Sequence, residues 1–257
     1  MFLAFLDNLD WQNSGTCTEV VGSGHGCPCG ERSLRTSHDR PSGGVHFPRP
    51  SGPLVLEIGL VMLQGSRQAH VDAIRRASER MGFEVNIREI RTPDDLLEST
   101  LQALILPGGE STTMRKVGGQ GGTGVLEHIY RELREKPNFP VLATCAGAIL
   151  LADPQDGGPS IIKATVDRNA WGRQIDSFLG SVSVNDQDEH VECAFIRAPR
   201  FTSAREECTI AKVGDEPVGV RENNLIALTF HPELSTSTIF HEMLLEAAAS
   251  NGNRVKA

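Results

Sequence analysis

No run of about 18 apolar residues occurs in this 257-residue chain, so no membrane-spanning helix is expected. Basic residues are not in excess either: 25 Lys and Arg stand against 33 Asp and Glu, a formal charge of −8. That balance does not suggest a nucleic-acid partner. The opening segment MFLAFLDNLDW is apolar, but Asp7 and Asp10 interrupt it and no basic stretch precedes it. It makes a poor secretory leader. The six cysteines (Cys17, Cys27, Cys29, Cys145, Cys193 and Cys208) are therefore read as reduced thiols rather than a disulfide framework, and a cytoplasmic location is expected. Cys27 and Cys29 are one residue apart, not the two to four of a zinc knuckle, and no second pair lies at a suitable distance. With Cys17, His25 and His38 they read as part of a flexible tail rather than a metal site. There is no internal repeat.

Residues 1–52 are rich in Gly, Ser, Pro and His and show no sustained period. The stretch from Gly22 to Pro53 reads as disordered. The organisation expected is an N-terminal extension over 1–52, an ordered domain over 53–252, and a short tail over 253–257. A chain whose translation starts near Leu54 is the other reading of the extension, and the intact mass of the natural protein separates the two.

From Leu54 onward the pattern changes to alternating strands and helices. Leu54–Leu63 (LVLEIGLVML) is a near-continuous apolar run, as in a parallel strand buried on both faces. Ser66–Met81 carries apolar residues at helical spacing (Ala69, Ala73, Ile74, Ala77, Met81), and Gly82 stops it. Phe83–Ile90 alternates as a strand does. Thr92 and Pro93 are suited to the N-cap and first position of a short helix. Ala103–Leu106 and Val141–Thr144 are further strands, separated by a glycine-rich loop, Gly118–Gly124, and a helix over Val125–Glu135. Later strands are expected at Glu192–Ile196, Cys208–Val213, Pro217–Arg221 and Leu225–Phe230, with Asn223-Asn224 as a tight turn. A last helix is expected over Thr236–Ser250, with Gly252 beyond its end. Strands separated by helices predict a three-layer α/β sheet.

Chemistry concentrates in three segments that follow strands, where open α/β sheets carry their active sites. In TCAGAILLA, Cys145 stands between an apolar strand and an apolar helix. A sharp turn there exposes the thiol at a helix N-terminus, whose dipole and free N–H groups favour a thiolate. This is a nucleophile elbow with Cys for Ser; Gly147 fits its second glycine, and Ala143 replaces the first. A buried core thiol is the alternative. In Leu106–Thr113 (LPGGESTT), paired glycines allow close backbone approach to a ligand, or mark an ordinary turn. In Phe230-His231-Pro232-Glu233, an extended backbone would put His231 and Glu233 side by side, as base and orienter. A solvated turn is the alternative there.

Taken together, these residues resemble the class I, triad-type glutamine amidotransferases, and within them the glutaminase subunits of pyridoxal 5′-phosphate synthase. The resemblance runs from about Glu57 to Ala249. It rests on Leu63-Gln64-Gly65, PGGESTTM (Pro107–Met114), TCAG (Thr144–Gly147), VDRNAWGRQIDSF (Val166–Phe178), FIRAP (Phe195–Pro199) and FHPEL (Phe230–Leu234), in that order. Ala148 stands where Leu is usual, and Trp171 where a smaller aromatic is usual.

The resemblance implies a flavodoxin-like, mostly parallel sheet with helices on both faces. It implies that Cys145 attacks the side-chain amide of L-glutamine, with His231 as base and Glu233 orienting it. The backbone N–H groups of Gly109 and Ala146 would hold the oxyanion, while Glu110, Ser111, Arg168, Ile196 and Arg197 would bind substrate. Arg168 and Arg197 also suit an α-carboxylate, although surface salt bridges are the commoner use of arginine. No metal or organic cofactor is needed for this half-reaction. The implied partner is the synthase barrel subunit, which would receive the ammonia. The VDRN and FIRAP strings argue against an amidotransferase of another pathway. The intact set of Cys145, His231 and Glu233 argues against a non-catalytic homologue.

Overall fold

The computed structural model describes residues 55–168, 177–184 and 187–255. The expected N-terminal extension, with Cys17, Cys27 and Cys29, and most of the VDRNAWGRQIDSF string, with Trp171, lie outside the described residues.

The strands are β1 (Val55–Val61), β2 (Glu84–Ile90), β3 (Ala103–Leu106), β4 (Val141–Thr144), β5 (Thr165–Asp167), β6 (Phe178–Val184), β7 (Gln187–Phe195), β8 (Arg200–Ser203), β9 (Thr209–Val213), β10 (Glu216–Glu222) and β11 (Leu225–Leu228). The helices are α1 (Arg67–Met81), α2 (Pro93–Leu97), α3 (Ser111–Gly118), α4 (Val125–Glu135), α5 (Ala146–Ala152) and α6 (Ile239–Val255). One sheet of nine strands runs in the order β2-β1-β3-β4-β11-β10-β9-β6-β7. The first five of that order are parallel, and the rest extend the sheet antiparallel from β11. β5 and β8 form a separate two-stranded ribbon.

The all-apolar strands are explained by burial on both sides. On one face Leu56, Ile58, Leu60, Ile105, Leu142, Ile226 and Leu228 pack under Val71, Ile74 and Ala77 of α1 and Phe240, Leu244 and Leu245 of α6. On the other, Val61, Leu104, Leu106, Val141, Ala143 and Ala227 pack under Met114 of α3, Val125, Leu126, Ile129, Tyr130 and Leu133 of α4, and Leu150 and Leu151 of α5. Alternate residues of one strand thus enter different cores, as a period of two requires. Each such aliphatic side chain contributes about 1.5–3 kcal/mol by leaving water.

Local signals act as the sequence indicated at several ends. Gly82 ends α1 at φ 70°. Asp95 accepts the Thr92 N–H at 2.8 Å, with Pro93 opening α2. Asn223-Asn224 joins β10 to β11 as a two-residue turn, with Asn223 at φ 55°. Other expectations are corrected. The loop after β3 is shorter, because Ser111–Thr113 already form the first turn of α3. That helix takes Gly118 as well, so the glycine-rich connection begins at Gly119. The last helix starts later, its first bond running from Glu242 N–H to the Thr238 carbonyl at 2.8 Å. It also continues through Gly252 to Val255, since a helical glycine costs only about 1 kcal/mol and does not by itself stop a helix. β5, β6 and β8 were not expected, and β7 begins earlier than Glu192.

Candidate active site

The three chemistry-bearing segments follow three adjacent strands, β3, β4 and β11, at their carboxyl ends. Register fixes this: Leu106 pairs with Ala143, and Leu228 with Thr144. The segments are brought together by the sheet rather than by loops folding towards one another.

Cys145 is the corner between β4 and α5. Its backbone has φ 48° and ψ −108°, a sparsely populated conformation for a side chain with a Cβ. The strain is held by the Cys145 N–H bonding to the Leu228 carbonyl at 2.8 Å. Two glycines make room for the corner. A Cβ on Gly147 would stand 2.1 Å from the Leu106 carbonyl oxygen, and one on Gly108 would stand 2.6 Å from His231 Cε1 and 3.3 Å from Cys145 Cβ. Cys145 is buried, with its sulfur 3.9 Å from the Ile196 carbonyl. The thiol is therefore covered, as a core cysteine would be, yet it stands on a strained corner in contact with the His231 imidazole.

His231 follows β11, and its N–H donates to the Ala194 carbonyl at 2.9 Å. Its Nδ1 lies 2.8 Å from Glu233 Oε1. An ionised carboxylate only accepts, so Nδ1 carries the proton and Nε2 is left to face the thiol. The expected extended His-Pro-Glu segment is corrected, because Pro232–Leu234 form a 3₁₀ turn. The turn, not strand alternation, brings the two side chains together.

The electrostatics follow from burial opposed by pairing. Burial alone would push the His231 imidazole down, but the Glu233 carboxylate and hydrogen bonds to Cys145 and Glu233 raise it to about 10. Burial would raise Glu233, yet the neighbouring His70 and His231 hold it at about 2. The imidazole is thus able to keep a proton beside a sulfur that gains negative charge.

The oxyanion candidates sit against this pair. Ala146 is the first residue of α5, where N–H groups lack intrahelical partners. The Gly108–Gly109 peptide lies at the reacting pair, since Gly108 abuts both His231 and Cys145. Gly109 has φ 151°. This loop is braced from β1, because Gln64 Oε1 accepts the Glu110 N–H and a Cβ on Gly65 would stand 2.5 Å from the Gly108 carbonyl oxygen. Gln64 and Gly65 were visible in sequence only as part of a recognition string; their bracing role needed the fold.

The other expected residues divide. Glu110 caps α3, accepting from Thr112 N–H at 2.9 Å and Thr113 N–H at 2.7 Å. Burial works to raise its carboxyl, but bonds from the Thr113 side chain and these backbone donors prevail and hold it at about 2. Arg168 donates to Thr112 Oγ1 at 2.8 Å and lies 3.7 Å from Glu110, so it is tied to the rim of the same loop. Ser111 is buried in the first turn of α3. Arg197 is exposed and follows Ile196 at φ 45°, a second strained backbone beside the thiol. Among the described residues no three His, Cys, Asp or Glu side chains converge as a metal site.

The sequence profile of the SNO glutamine amidotransferase family matches residues 60–250. The chain belongs to that family. It is 38% identical over 202 residues to "Pyridoxal 5'-phosphate synthase subunit PdxT" of Thermococcus onnurineus, covering 76% of this chain and 100% of the relative. With the protein of the same description from Natronomonas pharaonis it shares 40% identity over 192 residues, covering 73% of this chain and 97% of the relative. A solved structure titled "Crystal structure of glutamine amidotransferase" is 36% identical with a TM-score of 0.61, covering 75% of this chain and 98% of that one. A glutamine amidotransferase from Thermotoga maritima shares 15% identity at a TM-score of 0.50, covering 78% and 85%, and speaks to the fold alone. The fold class and the family drawn from the motif strings are both upheld.

Proposed function

We propose that the chain hydrolyses L-glutamine to L-glutamate and ammonia with Cys145, His231 and Glu233, and passes the ammonia to the synthase subunit that makes pyridoxal 5′-phosphate. The observation that carries this is the strained Cys145 corner at the head of α5, packed against an imidazole whose far nitrogen is bound 2.8 Å from a buried carboxylate. The sulfur attacks the side-chain amide carbon, and its proton passes through His231 Nε2 to the departing ammonia, leaving a γ-glutamyl thioester. Water then attacks that thioester, giving its proton to His231, which returns one to the sulfur as glutamate leaves. The N–H groups of Gly109 and Ala146 donate to the developing oxyanion. Arg197, with Arg168 at the rim, supplies the positive charge for the substrate α-carboxylate. No step calls on a metal or organic cofactor.

The partner follows from the relatives, which are named as subunits of pyridoxal 5′-phosphate synthase. Ammonia released into water is protonated and loses its nucleophilicity, so direct transfer to a (β/α)₈ barrel subunit is the productive route. The Gly109–Thr113 segment is the element through which docking would raise activity, because its peptide presents one oxyanion donor. A nucleophilic free thiol suits a reducing cytoplasm. Among the described residues no helix is long and apolar enough to cross a membrane.

The test is ammonia release from L-glutamine by the chain alone and with the barrel subunit, beside a Cys145→Ala control. Release should rise with the partner and vanish in the control. Equal turnover with and without the partner would sink the docking part, and activity surviving in Cys145→Ala would sink the nucleophile.

A further inference from the structure

The face of α1 that packs on the sheet is aliphatic at Val71, Ala73, Ile74 and Ala77, yet it carries one imidazole, that of His70. His70 is 0% exposed, and among the described residues neither ring nitrogen has a hydrogen-bond partner. Its Nε2 lies 3.4 Å from Glu233 Oε1, the same oxygen that His231 Nδ1 approaches at 2.8 Å. α1 is also fastened to the turn bearing Glu233, as Arg76 donates to the Ser235 carbonyl at 3.1 Å. Behind His70 stands a second fully buried imidazole, His241 of α6, with ring centroids 6.0 Å apart.

A leucine or methionine would fill the His70 position without stranding polar atoms, and buried polar atoms without partners are rare. An acceptor stands 3.4 Å from its Nε2, Oε1 of Glu233. That carboxylate is itself fully enclosed and has to stay negative and in one orientation while His231 gains and loses a proton. Oε2 of Glu233 has no hydrogen-bond partner among the described residues, so Oε1 alone anchors the carboxylate, and a second donor there restricts its swing. The same second-donor logic orients ligands around metals and the acidic member of hydrolytic triads.

We propose that His70 is a positioning residue for the reaction: a neutral imidazole whose Nε2–H closes the 3.4 Å to Glu233 Oε1 as a second donor and so holds the orienter of His231 in place. Burial disfavours the charged form of His70, so it meets Glu233 as a neutral donor and not as a competing cation. His70 touches neither substrate nor sulfur, and its effect travels only through Glu233 and His231. The inference deepens the triad reading above and depends on it.

The experiment compares His70→Gln, which keeps an N–H donor at about the reach of Nε2, with His70→Met, of nearly the same length and without one. Glutamine hydrolysis is measured in the complex with the synthase subunit, and melting of each variant is recorded. His70→Met should lower kcat about tenfold, the usual weight of one hydrogen bond to a charged group, and change KM by less than about twofold. His70→Gln should recover most of the loss. A merely structural role would lower melting in both variants and spare neither kcat nor KM. Parental kcat in His70→Met, or equal losses in both variants, overturns the proposal.

A second measurement needs no substitution. Imidazole ¹⁵N NMR of the unmodified chain should find His70 neutral with its proton on Nε2, and a proton on Nδ1 overturns the proposal even if a variant fails to fold. Cys145→Ala run in parallel separates the two levels: if it still hydrolyses glutamine the triad reading fails, and if it is inactive while His70→Met is unimpaired only the role of His70 fails.

Discussion

Replacing Gly147 by alanine should displace the nucleophile without altering any group that reacts. Gly147 is the second residue of α5, and an added Cβ would stand 2.1 Å from the Leu106 carbonyl oxygen and 3.2 Å from that of Pro107. Both obstacles are backbone, so no side chain can rotate away. Relief requires α5 to move by about 1 Å relative to β3 to reach an ordinary carbon–oxygen separation of ~3.3 Å. Cys145 is the N-cap of α5 and is drawn with it against its bond to the Leu228 carbonyl, whereas His231 is held by the Ala194 carbonyl and has no bond to α5. A misplacement of that size between reacting groups costs about 100-fold in turnover. Overpacking adds about 1–3 kcal/mol of destabilisation, a melting decrease of about 2–4 °C for each kcal/mol in a domain of this size. The assay is glutamate formation in the complex, with melting followed by circular dichroism. Gly82→Ala is the control: no atom lies within 4 Å of its added Cβ, though φ is 70°. It should lose about 1 kcal/mol from backbone strain alone and keep its turnover. Parental turnover in Gly147→Ala would refute the claim that this glycine positions the thiol.

Two further outcomes follow from the site. The folded pKa of His231 lies above its ordinary value, about 10 against 6.5, so its stabilisation is complete below 6.5 and is lost as pH rises through about 10. Glu233 is depressed from 4.5 to about 2, so its share is present above 4.5 and is lost as pH falls through about 2. The melting advantage of the parent over Glu233→Gln should therefore be greatest between pH 4.5 and 6.5 and shrink towards pH 10; an advantage that grows with alkalinity would exclude the buried pair. Arg197→Gly relieves a backbone at φ 45°, so stability should hold or rise by up to about 1 kcal/mol while KM for glutamine rises about tenfold. An unchanged KM would remove Arg197 from the carboxylate grip.

Most of the parallel half of the fold was legible because burial on both faces leaves strong signals. Ala103–Leu106 is apolar at every position and Val141–Thr144 at all but its last, both are bounded by Pro, Gly or a turn, and both strands have the bounds their patterns indicated. The antiparallel half was harder. In β6 the run FLGSVSV has buried positions at Gly180, Val182 and Val184 only, separated by small or exposed residues, so the apolar content of the window is thin. β5 and β8 form a ribbon of three or four residues that no period can mark. At the site, Cys145, His231 and Glu233 could be named from short motifs because each sits at a strand end. The local shape of Pro232–Leu234 could not, since proline permits both an extended and a 3₁₀ path. Gln64, Gly65 and His70 were beyond a local reading, because their partners lie 42 or more residues away along the chain.

The position of β11 carries a consequence for how the molecule is made. This strand is the last of the sheet to be synthesised, yet its place is inside the sheet, between β4 and β10. Until residues 225–228 leave the ribosome, β4 has an open edge and the Cys145 amide lacks the Leu228 carbonyl that holds its strained corner. Every residue up to Arg221 can be present while the thiol has neither its backbone anchor nor its base. Insertion between two existing strands is a long-range closure, and such closures are slow steps in folding. On the proposed triad, a nascent chain or one truncated before Leu225 therefore cannot split glutamine, and ammonia release cannot precede completion of the sheet.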